Sequence, residues 1–251
     1  MRMLLTAILS LGLTPSVVAA ADLSPEQALI VACYQLDPNQ VTELLRAGAN
    51  VNGRFGMRAF EAAEFMDRWT GGDVLWGADA WTPLLALASA PRLPAPPAEL
   101  GDVWKNPELV ARLRARISDR DLAERSARAR CILLILLSHD CKIDVHDGYG
   151  ATALYMAADR TKTSIARILL KFGANPNSRT KVYIDGPGKT TPLHVASNSA
   201  EMMQVLLDHG ADPTARDSEG RTPADWVALH SKRTFDLVRT EEGWRIVRRE
   251  K

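Results

Sequence analysis

Thr191-Pro192-Leu193-His194-Val195-Ala196, followed by Leu206-Leu207 and then Gly210-Ala211-Asp212-Pro213-Thr214, is the stretch from which the rest of the chain can be read. A threonine ahead of a proline caps a helix, and the proline takes the first helical position, where its missing N–H costs nothing. A leucine pair followed by glycine closes a second helix, because glycine accepts the left-handed backbone that ends it. The unit therefore reads helix, turn, helix, turn.

Both signals recur, and they alternate along the chain. The opening turn returns as Thr82-Pro83-Leu84-Leu85, Thr152-Ala153-Leu154-Tyr155 and Thr222-Pro223-Ala224-Asp225. The helix end returns as Leu44-Leu45 before Gly48-Ala49-Asn50-Val51-Asn52, Leu136-Leu137 before Asp140-Cys141-Lys142-Ile143-Asp144, and Leu169-Leu170 before Gly173-Ala174-Asn175-Pro176-Asn177. The steps from Asp140 to Gly173 and from Gly173 to Gly210 both lie close to a period of about 33 residues, the mark of a stacked helical repeat. Small residues at Ala157, Ala158, Ala196 and Ser197 let paired helices approach, and the leucine pairs bury against the next unit. One unit cannot bury its own face, so about three or more must stack.

On these residues, together with Gly220-Arg221-Thr222-Pro223, the sequence resembles the ankyrin-repeat family over roughly 23–235, in discontinuous blocks. The resemblance implies an all-α solenoid of about four and a half helix-turn-helix repeats. They fall near 24–52, 79–147, 148–177 and 187–214, with a C-terminal cap at 217–235 and a polar end at 230–251. The first repeat, starting near Ser24 without the Thr-Pro turn, suits an N-terminal cap.

Two intervals break the period. The interval from helix end to next threonine is the same from Asp140 to Thr152 as from Gly210 to Thr222, but far longer from Gly48 to Thr82, so extra chain is inserted near 53–78. The interval from threonine to helix end is likewise far longer from Thr82 to Asp140 than from Thr191 to Gly210, which places a second insertion between the helices of the second repeat, at 91–127. Insertions in a solenoid project from the stack, commonly on a functional face. The first carries Phe60, Phe65, Met66, Trp69 and Trp76, spaced for an amphipathic helix over Met57–Trp69. Its apolar face packs either on its own solenoid or on a partner. The second opens with the extended Pro91-Arg92-Leu93-Pro94-Ala95-Pro96-Pro97, restarts a helix at Asn106-Pro107-Glu108, and then carries seven arginines from Arg112 to Arg130 among Asp119, Asp121 and Glu124. That helix presents either a solvated face or a surface for an acidic or phosphate-rich partner.

The 251 residues are 46% hydrophobic and 24% charged, with 31 Lys+Arg against 30 Asp+Glu, a globular composition. A net charge of +1 gives no overall basic field for nucleic acid or an anionic membrane. Before Asp22 the sole charge is Arg2, followed by an apolar run to Leu13 and small residues at Val18-Ala19-Ala20-Ala21. This is the pattern of a secretory signal peptide, 1–21, cleaved after Ala20 or Ala21. The expected product is a periplasmic bacterial protein without an integral membrane segment. Three cysteines exclude a disulfide scaffold. Cys131 and Cys141 lie too far apart on one helix to pair. Cys33 with Cys131 is one alternative, and three buried thiols are the other.

No catalytic motif stands up. Gly186-Pro187-Gly188-Lys189-Thr190 ends like a phosphate loop, but Tyr183 sits where glycine is needed. His139, Cys141 and His146 have a metal-like spacing, yet Cys141 fills the small-residue position of a helix end. No enzyme activity, cofactor or metal is expected. The family resemblance implies binding of another protein through finger tips and the concave helix face, and the chain alone is expected to be a monomer. The tips fall near Trp76 and Asp79, at Tyr149, over 179–183 and at Ser218-Glu219. The candidate partner-binding residues are Trp69, Trp76, Tyr149, Arg179, Lys181 and Tyr183, with Asp159, Arg160, Asn198 and Ser199 on the helix ends. Tyrosine gives contact area at low entropic cost, and tryptophan dominates binding hot spots. The role expected is inhibition or shielding of one partner, as by an immunity protein against a secreted antibacterial effector such as a lipase. The alternative is a periplasmic scaffold linked to oxidative-stress protection.

Overall fold

The computed structural model describes residues 23–55, 81–90, 119–181, 188–230, 235–240 and 243–248. Helices α1 (Pro25–Gln35), α3 (Pro83–Ser89), α5 (Ala153–Asp159), α7 (Pro192–Val195) and α9 (Pro223–His230) form an inner row, each packed on the next. Helices α2 (Pro38–Arg46), α4 (Asp119–Leu137), α6 (Thr163–Lys171) and α8 (Ala200–Asp208) form an outer row in the same way. The chain alternates between rows, as the alternating sequence signals require.

Threonine starts the inner helices as expected. Thr82 Oγ1 accepts from the Leu85 amide at 3.3 Å and Thr152 Oγ1 from the Tyr155 amide at 3.2 Å. At α7 the histidine of the turn replaces the usual carboxylate: the Thr191 amide donates to His194 Nδ1 at 3.2 Å, and the Thr191 hydroxyl lies 2.8 Å from it. At α9 Asp225 does this work, accepting the Thr222 amide at 2.7 Å. The outer helices end in left-handed backbone at Gly48, Gly173 and Gly210, and Asp140 adopts it at φ 55° in the second repeat.

The central inner helices α3, α5 and α7 are short and almost wholly buried, with Leu84 to Ala88 and Ala153 to Ala158 enclosed by neighbouring helices. Outer helices bury one face, through Ile132, Leu133 and Leu136 in α4, Ile165 and Leu169 in α6, and Met202, Met203 and Leu206 in α8. Each such side chain stabilises the stack by about 1.5–3 kcal/mol over exposure.

Two expectations need correction. The end of the chain is not all helix: β1 (Phe235–Thr240) and β2 (Gly243–Arg248) pair antiparallel, with Leu237 opposite Ile246 and Arg239 opposite Trp244. Phe235 and Leu237 are buried, Trp244 and Ile246 partly so. This period-two alternation is hidden in a segment whose overall composition is polar. β1 packs on α9 and β2 on α8, so the hairpin covers the open side of the last helical pair. Second, the three thiols are not all buried: Cys33 is, Cys141 is half-buried and Cys131 is exposed, and all are free. The Cys33–Cys131 bridge is therefore absent. Residues 119–127, placed by the sequence in the second insertion, form the first part of α4, which is one helix of 19 residues against nine in α6 and α8. The signal-like 1–21, most of 53–78 and 91–118 lie outside the described residues. Among the described residues no helix is long and apolar enough to cross a membrane.

Candidate functional site

Between successive inner helices the chain rises into fingers, each closed at its base by backbone hydrogen bonds. Phe55 and Trp81 exchange two, at 3.0 and 2.8 Å; the amides of Asp147, Thr180 and Asp217 donate to the carbonyls of Ala151, Thr190 and Arg221 at 3.0, 3.0 and 2.9 Å. Residues 56–80 fall between the two members of this first pair. Two fingers are tight turns organised by an aspartate. Asp147 Oδ1 accepts from the amides of Tyr149 and Ala151, both at 2.9 Å. Asp217 Oδ1 accepts from those of Glu219 and Arg221 at 2.8 and 2.9 Å. The finger between them is held by hydroxyls: Thr190 Oγ1 lies 2.8 Å from Thr180 Oγ1 and 3.0 Å from the Tyr155 phenol.

Neighbouring fingers are joined to one another. The Lys181 amide donates to the Tyr149 carbonyl at 2.7 Å, and the Ser218 amide to the Gly188 carbonyl at 2.9 Å. Gly150 makes the first junction feasible. Its φ is +84°, and a Cβ there would stand 3.0 Å from the Lys181 amide nitrogen and 3.2 Å from the Arg179 carbonyl.

At the opposite end of each loop, the position four residues past the helix end ties one repeat to the next. Asn52 Nδ2 donates to the Asp140 carbonyl at 3.1 Å while its Oδ1 accepts the Lys142 amide at 2.8 Å. Asn177 repeats this with the Gly210 carbonyl at 3.0 Å and the Asp212 amide at 2.7 Å. Asp144 accepts the Asn175 amide at 3.0 Å, but a carboxylate cannot donate to the Gly173 carbonyl.

Electrostatics separate the two aspartate fingers. Burial pushes the Asp147 carboxyl above its ordinary range, more than the Ala151 and Tyr149 amides pull it down. Its Oδ2 has no hydrogen-bond partner among the described residues. Burial acts on Asp217 too, but the Trp226 indole and Arg221 outweigh it and hold the carboxyl at about 2. Asp217 Oδ2 meets Arg221 Nε at 3.0 Å and Trp226 Nε1 at 2.9 Å. His194, whose Nε2 lies 3.1 Å from the Arg221 carbonyl, packs edge-on to Trp226 with ring centroids 5.8 Å apart. Burial lowers its basicity.

Of the sequence candidates, the structure brings Tyr149, Arg179 and Lys181 together on two adjoining fingers. Asp159 and Arg160 sit at the end of α5, 3.5 Å apart, and Asn198 and Ser199 at the end of the turn that continues α7. Ser199 is occupied structurally: its hydroxyl accepts the Met202 amide at 3.3 Å and caps α8. Trp69, Trp76 and Tyr183 lie outside the described residues. Among the described residues no three His, Cys, Asp or Glu side chains form a metal site, and His139, Cys141 and His146 do not converge. Burial raises the Cys33 thiol and pushes that of Cys141 up to about 12, which favours the protonated thiol at both. Sequence reading missed Asn52, Asp144 and Asn177, although they fall four residues past each helix end, and it missed the aspartates that open the two short fingers.

Comparison with known proteins agrees with this geometry. Residues 123–217 match the family model of ankyrin repeats, in three copies. The chain is 38% identical over 111 residues to ankyrin repeat and SOCS box protein 11 of Danio rerio, covering 43% of this chain and 35% of that protein. It is 30% identical over 149 residues to the inactive serine/threonine-protein kinase TEX14 of Bos taurus, covering 58% of this chain and 9% of that one. A BTB/POZ domain and ankyrin repeat-containing protein of Medicago truncatula, NOOT2, is 43% identical over 77 residues, 30% of this chain and 15% of its own. The chain thus spans about a third or less of the length of these relatives. With the capped helix pairs, the left-handed helix ends and the linked fingers, the match makes residues 123–217 a run of ankyrin repeats.

Proposed function

We propose that this chain is an exported, non-enzymatic binding module that captures one protein partner on its finger row and inhibits or shields it. The observation that carries the reading is the pair of backbone bonds joining Lys181 to Tyr149 and Ser218 to Gly188, which ties three neighbouring fingers to one another in a ledge. Such a ledge is preorganised for an interface and loses little entropy on binding. Ankyrin repeats are a protein-interaction architecture, which favours a binding role over catalysis. Export rests on the signal-like sequence of 1–21, and a bacterial periplasm is the compartment that it suits. The long interval at 56–80 on the first finger favours a dedicated partner, of the kind an immunity protein has in a secreted effector such as a lipase, over a general scaffold.

Affinity capture by the chain from an envelope extract of its source, read by mass spectrometry, tests this. One stoichiometric enzyme or toxin, whose activity falls when the chain is added, supports the proposal. Recovery of no protein, or of an assortment whose activities are unchanged, overturns it. Tyr149→Ala is expected to weaken capture while circular dichroism shows the chain still folded.

A further inference from the structure

The position six residues past each helix end is basic in four successive repeats: Arg54, His146, Arg179 and Arg216. All four side chains are exposed. They are also aligned. Arg54 Nη2 donates to the His146 carbonyl at 2.7 Å, and Arg179 Nη1 donates to the Arg216 carbonyl at 3.3 Å, so two of the arginines reach along the stack to the same position of the next repeat. Arg216 Nη1 is held by the Gly220 carbonyl at 2.7 Å. Each guanidinium is thus fixed by one N–H bond to backbone and keeps the rest of its donor fork for another acceptor. Among the described residues none of the three arginines has a carboxylate within ion-pair distance, whereas Arg128, Arg160, Arg167 and Arg221 do. Lys181 and Lys189, exposed on the third finger, add charge beside the row.

We infer that Arg54, His146, Arg179 and Arg216 form a rail for an extended acidic segment of a partner protein, one carboxylate to each repeat. The inference rests on the binding role proposed above and names the chemistry of the partner. Stacked helices stand about 8–10 Å apart, and an extended chain advances about 3.3 Å per residue. An acidic side chain at every third residue therefore keeps step with the rail. Guanidinium forks grip carboxylates bidentately, which makes the spacing selective as well as attractive. A nucleic-acid backbone fits less well, because it carries a charge at every nucleotide rather than one at each repeat. The near-neutral net charge of +1 gives no wider basic surface to compensate.

The test uses the full chain and a fluorescent peptide of Glu-Ser-Gly repeated four times, followed by anisotropy. Controls are a peptide of the same composition with its glutamates adjacent, and a thymidine oligonucleotide of similar length. The spaced peptide is expected to bind more tightly than either control. In R54Q/R179Q/R216Q its affinity falls about tenfold or more, while R46Q/R120Q/R130Q, which removes equal charge from exposed sites on the outer helices, retains it. Circular dichroism melting checks that both variants stay folded. Equal losses in the two variants, equal binding of the two peptides, or tighter binding of the oligonucleotide would each overturn the rail. Capture of the same partner protein by the wild-type chain and by R54Q/R179Q/R216Q would also overturn it, and would leave the binding role itself standing.

Discussion

Asp147 and Asp217 close two fingers with the same pair of Oδ1 hydrogen bonds, and they differ in what meets Oδ2: nothing among the described residues for Asp147, a guanidinium and an indole for Asp217. The difference traces to two substitutions at equivalent positions. Arg221 and Trp226 in the last repeat correspond to Ala151 and Met156 two repeats earlier.

Removing the charge should consequently have opposite effects at the two sites. Asp217→Asn is expected to destabilise the fold by about 2–3 kcal/mol, because it leaves Arg221 without its buried acceptor. Asp147→Asn keeps an Oδ1 acceptor and relieves a buried carboxylate, with an expected gain of up to about 1 kcal/mol. Urea unfolding of the two variants gives both numbers, and equal destabilisation would contradict the assignment.

The same groups set the pH dependence. The folded-state value of Asp217, about 2, lies below its unfolded value of 3.8, so its contribution is complete above 3.8 and disappears as pH falls toward 2. His194 is lowered from 6.5, so the folded state holds it neutral; stability is complete above 6.5 and declines as pH falls below it. Asp147, raised from 3.8, works in reverse and partly offsets these losses as it takes up its proton. His194→Gln should flatten the stability profile just below 6.5 in urea titrations at several pH values.

Asp144 interrupts a ladder that Asn52 and Asn177 complete. Asp144→Asn supplies the missing donor to the Gly173 carbonyl and is expected to stabilise the chain by about 0.5–1.5 kcal/mol. Asn177→Ala should cost about 1–2 kcal/mol, since it removes two bonds between repeats. A rise in the urea midpoint for the first variant and a fall for the second would bear this out.

Three of the four Thr-initiated turns place proline after threonine, and the fourth has Ala153. Ala153 starts α5 as Pro83 starts α3 and Pro192 starts α7, all of them buried. Ala153→Pro is expected to add about 0.4–1 kcal/mol by restricting the unfolded chain, visible as a higher melting temperature.

The helical stack was legible because each of its devices is local. Thr-Pro, Leu-Leu and Gly-Ala act within a few residues, and their recurrence gave the two rows directly. The rungs between repeats were not, since the partners of Asn52 at Asp140 and Lys142 are far away in the chain. Distance along the sequence hid the closure of the first finger as well: nothing local in Phe55 or Trp81 announces that they exchange two hydrogen bonds. The hairpin escaped for a different reason. Its apolar residues occupy alternate positions among arginines, and a composition average erases that pattern. Tyr149, Arg179 and Lys181 were reachable because turn sequences mark fingers, whereas Ser199 looked available only until its capping bond to Met202 was seen.

The hairpin gives the array a direction. β1 grips the inner row through α9 and β2 grips the outer row through α8, so both rows are fastened together at the C-terminal end. Just inboard, His194, Asp217, Arg221 and Trp226 knot the last two repeats. In a stack held by nearest-neighbour contacts, opening begins where the fewest neighbours resist it. Opening from the hairpin end is therefore resisted on both rows at once, so amide protons of α7 to α9 are expected to exchange late.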